Sequence, residues 1–287
     1  MTPKSLVRSV HTLFSLPDVV VRINALVDDP TTRISDLAEA VLCDPGLAAR
    51  LLRLVNSAYY SPPYRVGTVS QAIILLGQHE LRNLVLATVA VSLFKGLPPE
   101  RINMEQFWLH SIMCGVAARG LARRRFLRES ERLFVAGLLY GTGKLVFYSQ
   151  CPDLYREVLQ QSGDDEQTCI AAERRVFGFT YADLGAELLK TWRLPENLYM
   201  AVAHHLEPAK ALDYRLEATI LHVAVRIVGD VQARAGVTSF ANDPEYFAPM
   251  ADLLGLPPES LASLAGEVNP RAMEIFGIIR ADSTPIS

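Results

Sequence analysis

The sequence predicts an all-α protein: an N-terminal helical bundle packed on a second helical domain, with a short helical C-terminal extension. Three observations carry this. Apolar residues recur at helical spacing in segment after segment. Alternating runs of β-branched and aromatic residues are nearly absent. Helix start and stop signals are dense along the whole chain. With 287 residues, 50% hydrophobic and 21% charged, the chain is long enough for a well-buried core of ordinary globular composition.

The elements follow in order. Ser35 is a candidate N-cap, with Asp36 and Glu39 in the positive first turn behind it. Asp44-Pro45 reads as an N-cap followed by proline at the first helical position. Leu47, Leu51, Leu54 and Val55 then lie on one apolar stripe. Ser61, Pro62 and Pro63 break the pattern. Thr68 and Gln71 have the spacing of a capping box on a short helix that ends at Gly77. A strongly apolar helix runs from about Gln78 to Phe94. Gly96 to Pro99 marks a boundary. Beyond it, helices are expected at roughly 104–126, 130–140, 152–161, 165–176, 180–192, 195–206 and 215–233. Thr180 with Asp183 forms another capping box, and Pro195 opens the next helix. Gly236 to Ala241 is a loop. Pro249, Pro257, Pro258 and Pro270 imply short packing helices, and Asp282 to Ser287 a frayed tail. The organisation is therefore 1–100, 101–233 and 234–287.

Composition narrows function. A net charge of -3 gives no global attraction to phosphate backbones or anionic lipid. The segment Thr68 to Phe94 could pass for a DNA-binding helix-turn-helix, but Leu81, Leu84, Val85, Leu86, Val89, Val91, Leu93 and Phe94 leave no polar face for a groove. Cys43, Cys114, Cys151 and Cys169 are scattered and read as free thiols of a reducing compartment. No secretory h-region stands at the N-terminus, and the most apolar run, Leu84 to Phe94, is too short to span a bilayer. The expectation is a cytoplasmic protein without membrane insertion. No phosphate loop, nucleophile elbow or HExxH motif is present; Lys144 follows Gly141 and Gly143 without P-loop spacing.

An ordered set of motifs points to a family. Leu16-Pro17, Asp44 to Ala58, Val69 to Gly77, Phe107 to Ser111, Phe134 to Leu139 and Trp192 to Glu196 occur in sequence. Together they cover about residues 14 to 230, and the chain resembles the bacterial HDOD domains. These are similar to HD and HD-GYP phosphohydrolases and are regarded as non-enzymatic regulators. The resemblance implies that the second domain is a degenerate HD-like fold, matched motif by motif to a metal site. The first histidine corresponds to His110, and the HD dyad falls on Tyr140-Gly141. Lys144 matches the lysine after the dyad. The next histidine falls on Tyr181, the later pair on His204-His205, and the last aspartate on Val225, after His222. A tyrosine and a glycine supply no dyad carboxylate, and valine is no ligand. The expectation is a vestigial pocket of His110, Tyr140, Gly141, Lys144, Tyr181, His204 and His205 with no catalysis, metal or cofactor. Simple core packing of the histidines is the plainer alternative.

Two further features are open at this point. Arg123, Arg124, Arg125 and Arg128 form the basic cluster, which reads as a solvated helix C-terminus or a candidate anion contact. Tyr59, Tyr60 and Tyr64 sit in a proline-bearing loop, either as a lid on the core or as a candidate partner surface. The reading that unites these expectations is a non-catalytic signal-transduction module. The resemblance implies signalling partners in cyclic-dinucleotide or two-component pathways. A divergent metal-dependent HD-type phosphohydrolase is the alternative, and a nucleic-acid-binding regulator the third.

Overall fold

The computed structural model describes residues 1–10, 16–94, 97–127, 130–163, 165–233 and 244–280. Among the described residues every regular element is helical. The N-terminal part carries α1 (Pro3–Val10), α2 (Asp18–Asp28), α3 (Ile34–Leu42), α4 (Pro45–Val55), α5 (Val69–Leu76) and α6 (Gln78–Leu93). The central part carries α7 (Met104–Arg124), α8 (Ser130–Leu139), α9 (Thr142–Gln150), α10 (Pro152–Ser162), α11 (Glu166–Phe177), α12 (Tyr181–Thr191), α13 (Glu196–His204) and α14 (Arg215–Ala233). Two short 3₁₀ turns, Pro208–Lys210 and Leu212–Tyr214, precede α14, and α15 (Pro244–Leu254) and α16 (Pro258–Arg280) follow it. The all-α expectation holds.

Several caps form as the sequence predicts. The Asp44 carboxylate accepts from the Leu47 N–H at 3.0 Å, with Pro45 at the first helical position. Thr68 accepts from the Gln71 N–H at 3.2 Å, and the Gln71 side chain accepts the Thr68 N–H in return. The Thr180 and Asp183 box closes in the same way. Leu47, Leu51, Leu54 and Val55 are all fully buried, and each such side chain contributes roughly 1.5–3 kcal/mol.

The structure corrects three expectations. Arg33, not Ser35, caps α3: its N–H and guanidinium both engage Asp36, and Ser35 lies inside the first turn. The expected helices leave 141–151 without an element, yet α9 spans Thr142–Gln150 although glycine is a poor helix former. Tertiary packing overrides that preference. A Cβ on Gly143 would lie 1.9 Å from the Tyr181 carbonyl oxygen, so only glycine lets α9 approach α12 this closely. The C-terminal prolines do not divide that region into short pieces either. α16 runs for 23 residues through Pro270. An interior proline costs about 3 kcal/mol, but Leu261, Leu264 and Val268 before it and Ala272 and Ile275 after it are all fully buried and offset the break. The loop at 236–241 and the tail from 282 lie outside the described residues, as do Gly96 and Lys95 at the predicted boundary.

Helix α7 is the axis of the molecule, packed along α8, α14 and α16. Its crossing with α8 is close because Gly115 faces Gly137, whose Cβ would fall 2.6 Å from the Cys114 carbonyl carbon. α6 joins the N-terminal bundle to α8, while α1 packs on α9 and α12. One apolar cluster runs from Leu6 to Ile279.

Candidate functional site

Five elements bring polar side chains together beside α7. The imidazole of His110 lies on α7 between two partners. Its Nδ1 is 2.6 Å from the Gln232 side-chain oxygen on α14, and its Nε2 is 2.6 Å from the Tyr140 hydroxyl. A carboxamide oxygen only accepts, so Nδ1 carries the proton and the Tyr140 O–H donates to Nε2. Cys114, one turn on, places its sulfur 3.5 Å from the same nitrogen. Burial lowers the His110 pKa, which keeps the ring neutral.

His205 forms the second half. It caps α13 and is 1% exposed. Its Nδ1 donates to the Val202 carbonyl at 2.7 Å, leaving Nε2 to accept from the Tyr181 hydroxyl at 3.0 Å. Burial pushes its pKa down to about 4. The Tyr181 hydroxyl also lies 3.1 Å from Glu166 Oε1, so a single proton is shared between an imidazole nitrogen and a carboxylate. Tyr140 stands between the two imidazoles, its ring edge-on to His205 at 5.3 Å. Burial raises the phenols of Tyr140 and Tyr181 well above their ordinary range.

Lys144 and Glu166 stand at the rim. Lys144 sits 4.3 Å over the Tyr181 ring and 3.7 Å from Glu166. A recess of about 220 Å³ opens here, bordered by His110, Ser111, Tyr140, Gly141, Lys144 and Glu166. Beneath Tyr181, Glu173 accepts the Tyr181 N–H at 2.7 Å and the Tyr155 hydroxyl at 3.1 Å, and burial raises its carboxyl to about 7.

The structure thus brings together His110, Tyr140, Gly141, Lys144, Tyr181 and His205. His204 does not enter the hydrogen-bond chain; it ends α13 half-buried, about 100° around the helix from its neighbour. His222 instead donates from Nδ1 to the His205 carbonyl at 2.8 Å. Sequence reasoning missed Glu166, Glu173 and Gln232, none of which carries a local signal. Cys114 was legible as the residue one turn from His110.

The other candidates separate. Tyr59 is 5% exposed, and Arg119 lies 4.2 Å over its ring and 4.6 Å over that of Tyr60. Arg119 is in turn ion-paired with the buried Glu131, which accepts the Tyr60 hydroxyl at 2.9 Å. Those two tyrosines close the core, and only Tyr64, 52% exposed, faces outward. Arg123 and Arg125 are exposed, Arg124 pairs with Glu267 at 3.3 Å, and Arg128 lies outside the described residues.

A profile of the HDOD domain matches residues 13–208, most of the chain. The chain belongs to the HDOD family. Its fold is similar to that of a candidate phosphohydrolase from Shewanella amazonensis SB2B (TM-score 0.78, 24% identity, 96% of this chain and 97% of that one). It is also similar to an HDOD domain protein of unknown function from Geobacter sulfurreducens (TM-score 0.67, 24% identity, 96% and 97%). A candidate signal transduction protein from Marinobacter aquaeolei VT8 shares the fold over 92% of this chain and 59% of its own (TM-score 0.64, 23% identity). An uncharacterised protein of Treponema pallidum (strain Nichols) is 26% identical over 205 residues, 70% of this chain. This HDOD chain spans about two-fifths of that relative, 39%. Among the described residues no helix is long and apolar enough to cross a membrane.

Proposed function

We propose that this HDOD chain is a non-catalytic signal-transduction module of the bacterial cytoplasm that acts through a bound partner or ligand. One observation carries the reading: both ring nitrogens of His110 and both of His205 are already engaged, by Gln232, Tyr140, Val202 and Tyr181. A metal ligand must offer a free lone pair, and an HD-type centre needs a carboxylate to set its charge and geometry. Tyr140-Gly141 provides none at the dyad position, and the nearby Glu166 is turned to Lys144 and Tyr181. The donor set does not fit a hydrolytic metal centre. With chemistry disfavoured, output passes through contact, and the family points to partners in cyclic-dinucleotide or two-component signalling. The free thiols support a reducing compartment, and the net charge of -3 disfavours nucleic acid.

The test is elemental analysis of the purified chain together with turnover of phosphodiesters and nucleotides at added manganese, iron or zinc. Substoichiometric metal and no turnover are expected. A stoichiometric metal with metal-dependent hydrolysis would overturn the reading in favour of a divergent metal-dependent HD-type phosphohydrolase.

A further inference from the structure

A much larger cleft of about 820 Å³, within the size range of small-molecule sites, shares Phe107, His110 and Lys144 with the recess at His110. One face of α7 forms its floor: Asn103, Gln106, Phe107, His110 and Met113 follow the helical repeat. Lys144 and Tyr148, one turn apart on α9, form a wall, with Arg101 ahead of α7. The end of α14 contributes Gln232, and α16 contributes Asn269.

The chemistry of this lining is biased. It holds two cations, four carboxamides and two aromatic rings, and no aspartate or glutamate among the described residues, in a chain of net charge -3. The Arg101 guanidinium is held by a 3.3 Å hydrogen bond to the Tyr148 carbonyl, which leaves further N–H groups for a ligand. Lys144 has donors beyond its 3.7 Å contact with Glu166. Ser111, 1% exposed, borders the adjoining recess with a hydroxyl that has no hydrogen-bond partner.

We propose that this cleft binds an amphipathic organic anion: an aromatic or heteroaromatic body laid on Phe107 and Tyr148, with a phosphate, sulfonate or carboxylate held between Arg101 and Lys144. The carboxamides of Gln106 and Asn269 supply donors and acceptors to the body's polar edge. This inference rests on the non-catalytic reading, since a cleft without chemistry signals by occupancy alone.

Anilinonaphthalene sulfonate, an aromatic anion that fluoresces when shielded from water, is the probe. The intact chain should bind it at a single saturable site. The uncharged N-phenylnaphthylamine should bind at least about tenfold more weakly, because it forgoes the charge-assisted hydrogen bonds. Inorganic phosphate, an anion without the body, should displace the dye poorly. Arg101→Gln should weaken binding about five- to tenfold. Gln106→Glu, which places a carboxylate on an exposed position of the floor, should abolish it. Arg156→Gln removes the same charge from exposed α10 and should change nothing. Equal affinity in all three variants, unsaturable binding, or equal binding of the neutral dye would overturn the proposal. Neither result bears on metal content or turnover, so a failure here is distinguishable from a failure of the non-catalytic reading.

Discussion

Glu173 and His205 are predicted to pull stability in opposite directions over one pH window, and Glu173→Gln separates them. Both touch Tyr181: its N–H reaches Glu173 and its hydroxyl reaches His205. Burial raises the Glu173 carboxyl from 4.5 to about 7 despite its two hydrogen bonds. Between these values the folded chain holds a proton that the unfolded chain has released, so stability falls as pH rises from 4.5 to 7. Burial lowers His205 from 6.5 to about 4, and there the unfolded chain holds the extra proton, so stability rises with pH across 4 to 6.5. Each effect amounts to about 3 kcal/mol over its full window. They nearly cancel between pH 4.5 and 6.5, so the parent chain should show a shallow profile, tilted upward by the lowered His110 and His222. Glu173→Gln removes the falling component, and stability should then climb by about 3 kcal/mol from pH 4.5 to 6.5. The carboxamide can keep both partners, its oxygen accepting the Tyr181 N–H and its NH2 donating to the Tyr155 hydroxyl, so the pH-independent cost is small. Equilibrium urea unfolding across the window reads both effects. Parallel profiles for parent and variant, differing only by a constant, would refute the reasoning.

Two further outcomes follow from packing. Gly143→Ala should destabilise the chain by about 3 kcal/mol or more, because the methyl meets the Tyr181 carbonyl. Gly229→Ala on α14, with nothing within 4 Å of the added atom, should be neutral or stabilising by up to about 1 kcal/mol; denaturant midpoints rank the two. Tyr59→Ala should cost about 3–5 kcal/mol, whereas Tyr64→Ala should leave the melting temperature nearly unchanged and weaken partner capture by about 1–3 kcal/mol in pull-down titrations.

Much of this fold is legible because its signals are local. Asp44, Thr68 and Thr180 cap within three residues of themselves, and the α4 stripe needs only helical spacing. The failures share another cause. Gly141 and Gly143 argue against a helix until Tyr181 is brought beside them from 38 residues away in sequence. Pro270 argues for a stop until the core on both its sides is known. The site divides in the same way. The family's motifs locate His110, Tyr140, Lys144, Tyr181 and His205, but Glu166 and Gln232 join only through the packing of α11 and α14. Tyr59 and Tyr60 could read as exposed anchors until the buried Arg119 appears over both rings.

The protonation states of the cluster also explain where a charged occupant can be met. A buried charge is costly unless it is paired, and the imidazoles and phenols of this site avoid that cost by staying neutral, while burial raises the Glu173 carboxyl beneath them to about 7. Burial holds His110 and His205 in the imidazole form and Tyr140 and Tyr181 in the phenol form. Each phenol adds apolar area between helices while its hydroxyl finds a nitrogen. Tyr140 ties α7 to the junction of α8 and α9, and Tyr181 ties α12 to α13 and α11, by bonds that need no counter-ion. Net charge is left to Lys144 and Glu166 at the rim, which are 29% and 48% exposed. An anion entering from the cleft therefore competes with Glu166 for Lys144, while Glu166 also accepts from Tyr181. Loss of the Lys144 contact would strengthen the hold of Glu166 on the Tyr181 proton at the expense of His205.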